Sequence, residues 1–408
     1  MPSGGGMGSL PNILILTTGC LSLAHGTGAR LLYQFAPYPP QHLWNVFSGH
    51  QGEPALPQHL WVRRYDRTWR SELRRWRRQF FRIDSPNRAI DIRDIRAYLN
   101  RHQWHPDLIY ATCLCRDDLE ILHALLHQYH YTLPVIQHFL DWHPDDPNMV
   151  PLLRRLNPHL TQVWALTEAI QTDISHILER PVPVVSVFHC DIPAVYKQEH
   201  RPYDAHFRAV ILGNCGYPEI LDDLAQAWRT LAQTFPDLQP IHWYAHPHSW
   251  QYLQARHYTL PPAIQYRGFI PATELMTKLS TYDLALIPFN RADTPESFYA
   301  RYSNPSRITE LASVGLPLCL LAGTGTAAAQ YMQKNDLGLV VNPAHPEHLV
   351  TTLKLLLHDH QLRQTLGQKS RRFAEAHFDI TQHRRFLWQT FSQILHRPIE
   401  ICFRSVES

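Results

Sequence analysis

One rhythm constrains this chain more than any other feature, and it runs through the chain twice. Short apolar runs closed by turn residues alternate with longer stretches of helical period. The first series is NILILTTG at 12–19, DLIYA at 107–111, PVIQH at 134–138, VWAL at 163–166 and VPVVSVF at 182–188. Uninterrupted apolar runs of this length read as strands buried on both faces. Helical patterns at 116–129 and 167–180 separate them, so the units are strand–helix–strand and the sheet is parallel. The series then restarts with AVILG at 209–213, IHWYA at 241–245, LALIPF at 284–289, LPLCLL at 316–321 and GLVV at 338–341. Helical patterns at 218–235, 271–280, 305–314, 327–335 and 345–358 lie between these runs, and a further one closes the chain at 380–395.

The polar, Pro-containing stretch at 196–207 reads as a linker. The expected organisation is a disordered head at 1–10, one α/β domain at 11–198, a second at 199–376, and a terminal helix at 377–408 that packs back on the first domain. A chain of 408 residues with 44% hydrophobic composition is long enough for two such cores. In open parallel sheets, ligands lie beyond the carboxyl ends of the strands, so the gap between two facing domains is the expected site.

Charge and cysteines narrow the partners. A net charge of +3 is too small to point to nucleic acid. The seven cysteines are scattered, and C-x-C at Cys113 and Cys115 is not a zinc spacing, which suits a reducing compartment. No run is long and apolar enough for a membrane span, and the opening MPSGGGMGSL lacks a signal-peptide pattern. The expected location is the cytoplasm.

The strongest local motif is Ser303-Asn304-Pro305-Ser306-Arg307-Ile308-Thr309-Glu310, continuing to Gly315 and Pro317. Ser303 or Asn304 suits a helix cap, Pro305 its first position and Gly315 its end. A helix amino end presents unpaired N–H groups to anions. Ser306 and Arg307 would add donors for a diphosphate, and Glu310 an acceptor for ribose hydroxyls. The same residues also read as a capped surface helix with an exposed Arg–Glu pair.

This segment resembles the nucleotide-binding helix of GT-B glycosyltransferases, particularly the family 4 type, whose pattern is close to P-x-K-x-x-E-x-x-A-x-G-x-P. Arg307 stands at the position of the Lys that meets the donor phosphates, and Glu310 at that of the Glu that holds the ribose. The resemblance extends to 265–289 and to 323–341, and so covers about the whole C-terminal half. It implies an α/β fold of two Rossmann-like domains facing across a cleft, the first binding the acceptor and the second a nucleotide-sugar. It also implies a glycosyltransferase, with hexosyl transfer the expected case. The implied donor is a nucleoside diphosphate sugar, and the implied acceptor a glycan or a lipid-linked hydroxyl, as in polysaccharide biosynthesis. It implies no cofactor, no metal (no Asp-x-Asp motif is present) and retention of anomeric configuration. Two N-terminal features fit. Gly26 and Gly28 form a glycine-rich turn after the first strand, which is equally a plain strand-to-helix connection. His138 and Asp141 resemble the family's "H-D" site near the transferred sugar, against the background of 27 histidines.

The chain also departs from the family. The Arg and Lys that many members carry after the first strand of the second domain are absent; the stretch reads Leu212-Gly213-Asn214-Cys215, with Asn214 as its candidate. The first Glu of the family's pair is replaced by Tyr302. Arg307 must then compensate more phosphate charge, with Arg291 or Arg301 of the preceding loop as helpers and that loop as a lid. These gaps keep two other readings open: a sugar-nucleotide epimerase on the same fold, and a non-catalytic, membrane-associated module.

Residues 61–82, WVRRYDRTWRSELRRWRRQFFR, separate aromatic from basic positions at helical period. Arg74, Arg75, Arg77 and Arg78 lie on the basic side. Such a helix suits an anionic membrane surface, or equally packs its aromatic face on the first domain.

Overall fold

The computed structural model describes residues 10–19, 21, 26–48, 55–63, 90–194, 196–197, 203–215, 218–290 and 298–399. The chain divides into two compact units, Met1–Val187 with Gln382–Ser408, and Phe188–Thr381.

The first unit is built on a parallel sheet. Its strands are β1 (Ile13–Thr17), β2 (Leu43–Phe47), β3 (His59–Arg63), β4 (Ile90–Asp91), β5 (Leu108–Cys113), β6 (Val135–Phe139) and β7 (Gln162–Ala165), in the order β4-β3-β2-β1-β5-β6-β7. The order reverses between β1 and β5. Helices α1 (Gly26–Phe35), α2 (Ile95–Arg101), α3 (Arg116–Gln128), α4 (Met149–Leu156) and α5 (Glu168–Leu178) accompany it. Strand β2 is interrupted by a polar residue, and the fold satisfies it. Asn45 donates to Thr17 Oγ1 at 2.9 Å and Ile15 O at 3.2 Å, and accepts from Leu21 N at 2.9 Å.

Three expectations change here. Residues 182–188 form no strand; they make one isolated bridge, Ala165 with Val184. Pro181 and Pro183 lack the N–H groups a ladder needs. Trp61–Arg63 belong to β3, paired with β2, and so are not the start of a helix. The remainder of that segment, with Arg74, Arg75, Arg77 and Arg78, lies outside the described residues. Gly26 and Gly28 sit in the first turn of α1 and not in a loop.

The second unit has β8 (Ala209–Leu212), β9 (Ile241–Tyr244), β10 (Ile264–Tyr266), β11 (Leu284–Asn290), β12 (Leu318–Ala322) and β13 (Leu339–Val341), all parallel, in the order β10-β9-β8-β11-β12-β13. This is the doubly wound order, with its reversal between β8 and β11. Alternate residues feed opposite faces of the sheet. Leu284, Leu286, Cys319 and Leu321 pack on one side, and Ala285, Ile287, Leu318 and Leu320 on the other. Helices α6 (Pro218–Ala232), α7 (Pro247–Ala255), α8 (Ala272–Leu279), α9 (Phe298–Tyr302), α10 (Ile308–Ser313), α11 (Ala327–Lys334), α12 (Pro346–His358) and α13 (His360–His377) complete it.

The boundary falls at 187/188 and not at 198/199, because the intervening strap is bonded into the second unit. Cys190 N donates to Phe378 O at 2.9 Å, Ile380 N to Cys190 O at 3.1 Å, and Lys197 N to Val314 O at 2.8 Å. Lys197 also pairs with Asp283 at 2.9 Å. Helix α14 (Ile380–Leu395) lies mostly in the first unit. There Trp388 stacks on Tyr38 at 4.8 Å, Phe391 on Phe35 at 6.3 Å, and Arg384 donates to Tyr33 O at 2.6 Å.

Candidate functional site

The strand order of the second unit places its ligand-accepting edge at the carboxyl ends of β8 and β11. At the end of β8 the chain turns through Gly213, whose φ is +84°, a conformation that side-chain-bearing residues rarely adopt. Gly213 N donates to Tyr244 O at 2.8 Å and Gly213 O accepts from Trp243 Nε1 at 2.9 Å, so the turn is fixed on both sides. The Arg307 guanidinium lies against it: a Cβ at Gly213 would sit 3.6 Å from Cζ and from Nε. Arg307 Nη2 donates to Asn214 O at 2.5 Å. The basic group missing from the β8 loop is thus supplied from elsewhere in the same unit.

The segment carrying Arg307 differs in detail from the sequence expectation. Helix α10 begins at Ile308 and has six residues, with Arg307 at its cap position and no side-chain cap. Pro305 and Ser306 form the tight turn before it, through Ile308 N to Pro305 O and Thr309 N to Ser306 O, both 3.2 Å. Ser303 and Asn304 therefore do not cap the helix, and Pro305 is not its first residue. Ser306 is half-buried in this turn, and Glu310, 8% exposed, is set one turn into the helix. The far end matches the expectation. Gly315 has φ +73°, and Leu316 N reaches back to Leu311 O at 3.2 Å. Arg371 anchors that end by donating to Ser313 O at 2.5 Å and Pro193 O at 2.9 Å.

The edge continues toward β9 and β10 through residues that sequence reasoning missed. Ser249, on α7, donates its hydroxyl to Asn214 Oδ1. His246 caps α7 by accepting from His248 N at 3.2 Å, and its ring meets Phe269 at 5.8 Å, edge to face. Phe269 is 52% exposed, unusual for a ring of that size. His246 follows directly on the apolar run at 241–245, which was the available signal; Ser249 and Phe269 carry none. Past β12, Thr324 and Gly325 are exposed and Thr326 caps α11. Arg301 lies 5.0 Å over the Tyr302 ring. Arg291 lies outside the described residues.

In the first unit, His138 is inside β6 and fully buried. Its Nδ1 is 2.7 Å from Tyr110 Oη and its Nε2 is 2.8 Å from Val185 O. Burial pushes its pKa down to about 3. Both ring nitrogens are committed to the core, which removes His138 as a group that meets a substrate. Asp141, half-buried, follows the strand, its N–H donating to Cys113 O at 3.1 Å. The histidine beyond the carboxyl end of β6 is His143, whose Nε2 lies 2.9 Å from Leu114 O. Asp118 holds the neighbouring loops together. Its Oδ2 accepts from Thr18 Oγ1 at 2.6 Å, Leu114 N at 2.7 Å and Cys115 N at 3.2 Å, while burial raises its carboxyl pKa. Gly26 and Gly28 open α1 after β1.

Neither a protein-family model nor a curated protein matches the sequence. Solved structures do match. HepE of Anabaena, crystallised with UDP and glucose, has a TM-score of 0.63 at 16% identity, over 94% of this chain and 100% of that one. A glycosyltransferase of Rickettsia africae has a TM-score of 0.62 at 11% identity, over 95% and 99%. This chain has the GT-B fold. Trehalose-6-phosphate synthase of E. coli, bound with UDP-2-fluoro glucose, has a TM-score of 0.60 at 12% identity, over 94% and 99%. At these identities the likeness concerns the GT-B architecture, and the site residues stand on their own geometry. Among the described residues no helix is long and apolar enough to cross a membrane, and no group of three or more His, Cys, Asp or Glu is placed to hold a metal ion.

Proposed function

We propose that this chain transfers a glycosyl group from a nucleoside diphosphate sugar to an acceptor hydroxyl, with the nucleotide held along the carboxyl edge of the second unit's sheet. The observation that carries this reading is the Arg307 guanidinium laid on Gly213 and bonded to Asn214 O, where the strand order reverses. A guanidinium fork matches the geometry of phosphate oxygens, and its charge is fixed in place before the donor arrives. Departure of the nucleoside diphosphate builds negative charge on the β-phosphate, and Arg307 stabilises it without reorganising. Glu310 accepts from ribose hydroxyls. Phe269, exposed beside His246, offers a face on which a base stacks. Gly26 and Gly28 at the start of α1, with Asp141 and His143 past β6, form the first unit's contribution to the acceptor.

HepE and trehalose-6-phosphate synthase were solved with UDP or UDP-sugars, which makes UDP-glucose the first donor to test. Retention of configuration, charge compensation by Arg307 in place of a metal, hexosyl transfer and a glycan acceptor belong to the reading through the family likeness. The arginines of residues 64–82 support an anionic membrane surface as the place where a lipid-linked acceptor is met. The test is incubation with UDP-glucose and other nucleotide sugars, with and without an acceptor panel, following UDP release. Acceptor-dependent release supports transfer. Conversion to an epimer without acceptor, or no turnover of any donor, contradicts it.

A further inference from the structure

A second feature, independent of the nucleotide reading, lies in the first unit. A cavity of about 560 Å³ opens between α3 and α4, lined by Arg116, Glu120, His123, Asn148, Pro151, Leu152 and Arg155. That volume falls within the range of small-molecule sites. Its lining is mostly polar and charged, which excludes an apolar occupant.

The two walls have simple origins. Arg116, Glu120 and His123 stand at i, i+4 and i+7 of α3 and so share one face. Asn148 precedes the first turn of α4, and Leu152 and Arg155 follow along it. Arg116 is held in position before any ligand arrives, with its Nε 3.2 Å from Glu120 and its Nη1 3.1 Å from Asp146. Two carboxylates therefore fix this guanidinium while part of it still faces the cavity. Arg155 is different: it forms no hydrogen bond or ion pair with any described residue. It lines the cavity from α4, and burial first and the Arg155 charge next hold the His123 pKa below its ordinary value. The two other nearby imidazoles, His127 and His159, add to the same effect.

We propose that the cavity between α3 and α4 binds a phosphorylated sugar or polyol, with the phosphate taken by Arg155 and Arg116 and the hydroxyls by Glu120, Asn148 and His123. The assignment follows from the mixture of groups. One uncompensated guanidinium asks for an anion, whereas an adjacent carboxylate and carboxamide repel or ignore a second anion and favour hydroxyl donors. A bare inorganic anion would use only half of the lining.

The experiment is calorimetry on the full-length protein with glucose 6-phosphate, glycerol 3-phosphate, glucose and inorganic phosphate. Each titration is run without UDP and with saturating UDP. The expected result is that a sugar or polyol phosphate binds at least tenfold more tightly than inorganic phosphate or glucose, equally with and without UDP. Arg155→Gln, at an exposed position that leaves the fold intact, weakens that binding at least tenfold. Glu120→Gln removes the preference over inorganic phosphate. Binding unaffected by Arg155→Gln, abolished by UDP, or no tighter than inorganic phosphate overturns the proposal, as does absence of binding at millimolar ligand. Failure of UDP itself to bind would count against the nucleotide reading and leave this result standing.

Discussion

Acidification of the His138 environment offers a quantitative check on its place in the core. Val185 O can only accept, so the His138 Nε2 carries its proton toward it at 2.8 Å, and Nδ1 accepts from Tyr110 Oη at 2.7 Å. The ring is therefore neutral, with no room for a second proton. Its pKa is pushed down by burial to about 3, against an ordinary value near 6.5. The sign follows from proton counting. Below about pH 6.5 the unfolded chain takes up a proton that the folded chain refuses, so stability is lost as pH falls from there toward about 3. At pH 5 the loss from this one group is about 2 kcal/mol. NMR titration of the His138 ring should show no protonation between pH 7 and pH 5. Urea unfolding of the wild type and of His138→Gln at both pH values should show that the variant loses about 2 kcal/mol less on acidification, since its other acid-labile groups are shared. A ring that titrates near pH 6.5 in the native protein, or two proteins with the same pH dependence, would refute this placement.

Gly315→Ala should destabilise the second unit by about 2–3 kcal/mol in urea unfolding, because a Cβ there meets Lys197 O at 2.9 Å on a residue whose φ is +73°. Phe269→Ala should weaken UDP binding by about 1–2 kcal/mol while leaving the melting temperature almost unchanged, since the ring is largely exposed. His143→Ala should lower kcat by about 100-fold without changing UDP affinity, whereas His138→Gln should leave kcat of the folded protein near wild type.

Both sheets were legible in the sequence wherever a strand is buried on both faces and unbroken. The apolar rhythm located β1, β5, β6 and β7, and most of the second sheet, because apolar residues dominate those runs, with Gln137 and His138 the polar exceptions in β6. It missed β2, since Asn45 stands in the middle of it and only the tertiary bonds to Thr17, Ile15 and Leu21 explain its burial. It overran at 182–188, where apolar composition masked the two prolines that prevent pairing. His138 was misplaced for a related reason. A histidine near a strand end can point into the core or sit past the edge, and the strand register, with His138 opposite Thr112 and Trp164, decides the matter. Arg307 was found because its neighbours form a motif. Its contact with Gly213 joins residues 94 positions apart and is visible only once β8 and the turn before α10 are brought together. Ser249 and Phe269 had no motif to announce them.

The claim on which the account rests is that Arg307 receives the diphosphate at the β8 edge, and calorimetry of UDP binding to wild type, Arg307→Lys and Arg307→Ala tests it directly. Loss of two charge-assisted hydrogen bonds predicts that Arg307→Ala binds UDP weaker by about 3 kcal/mol, roughly 150-fold, with Arg307→Lys between the two. Equal UDP affinity in all three proteins, each folded by circular dichroism, would contradict it.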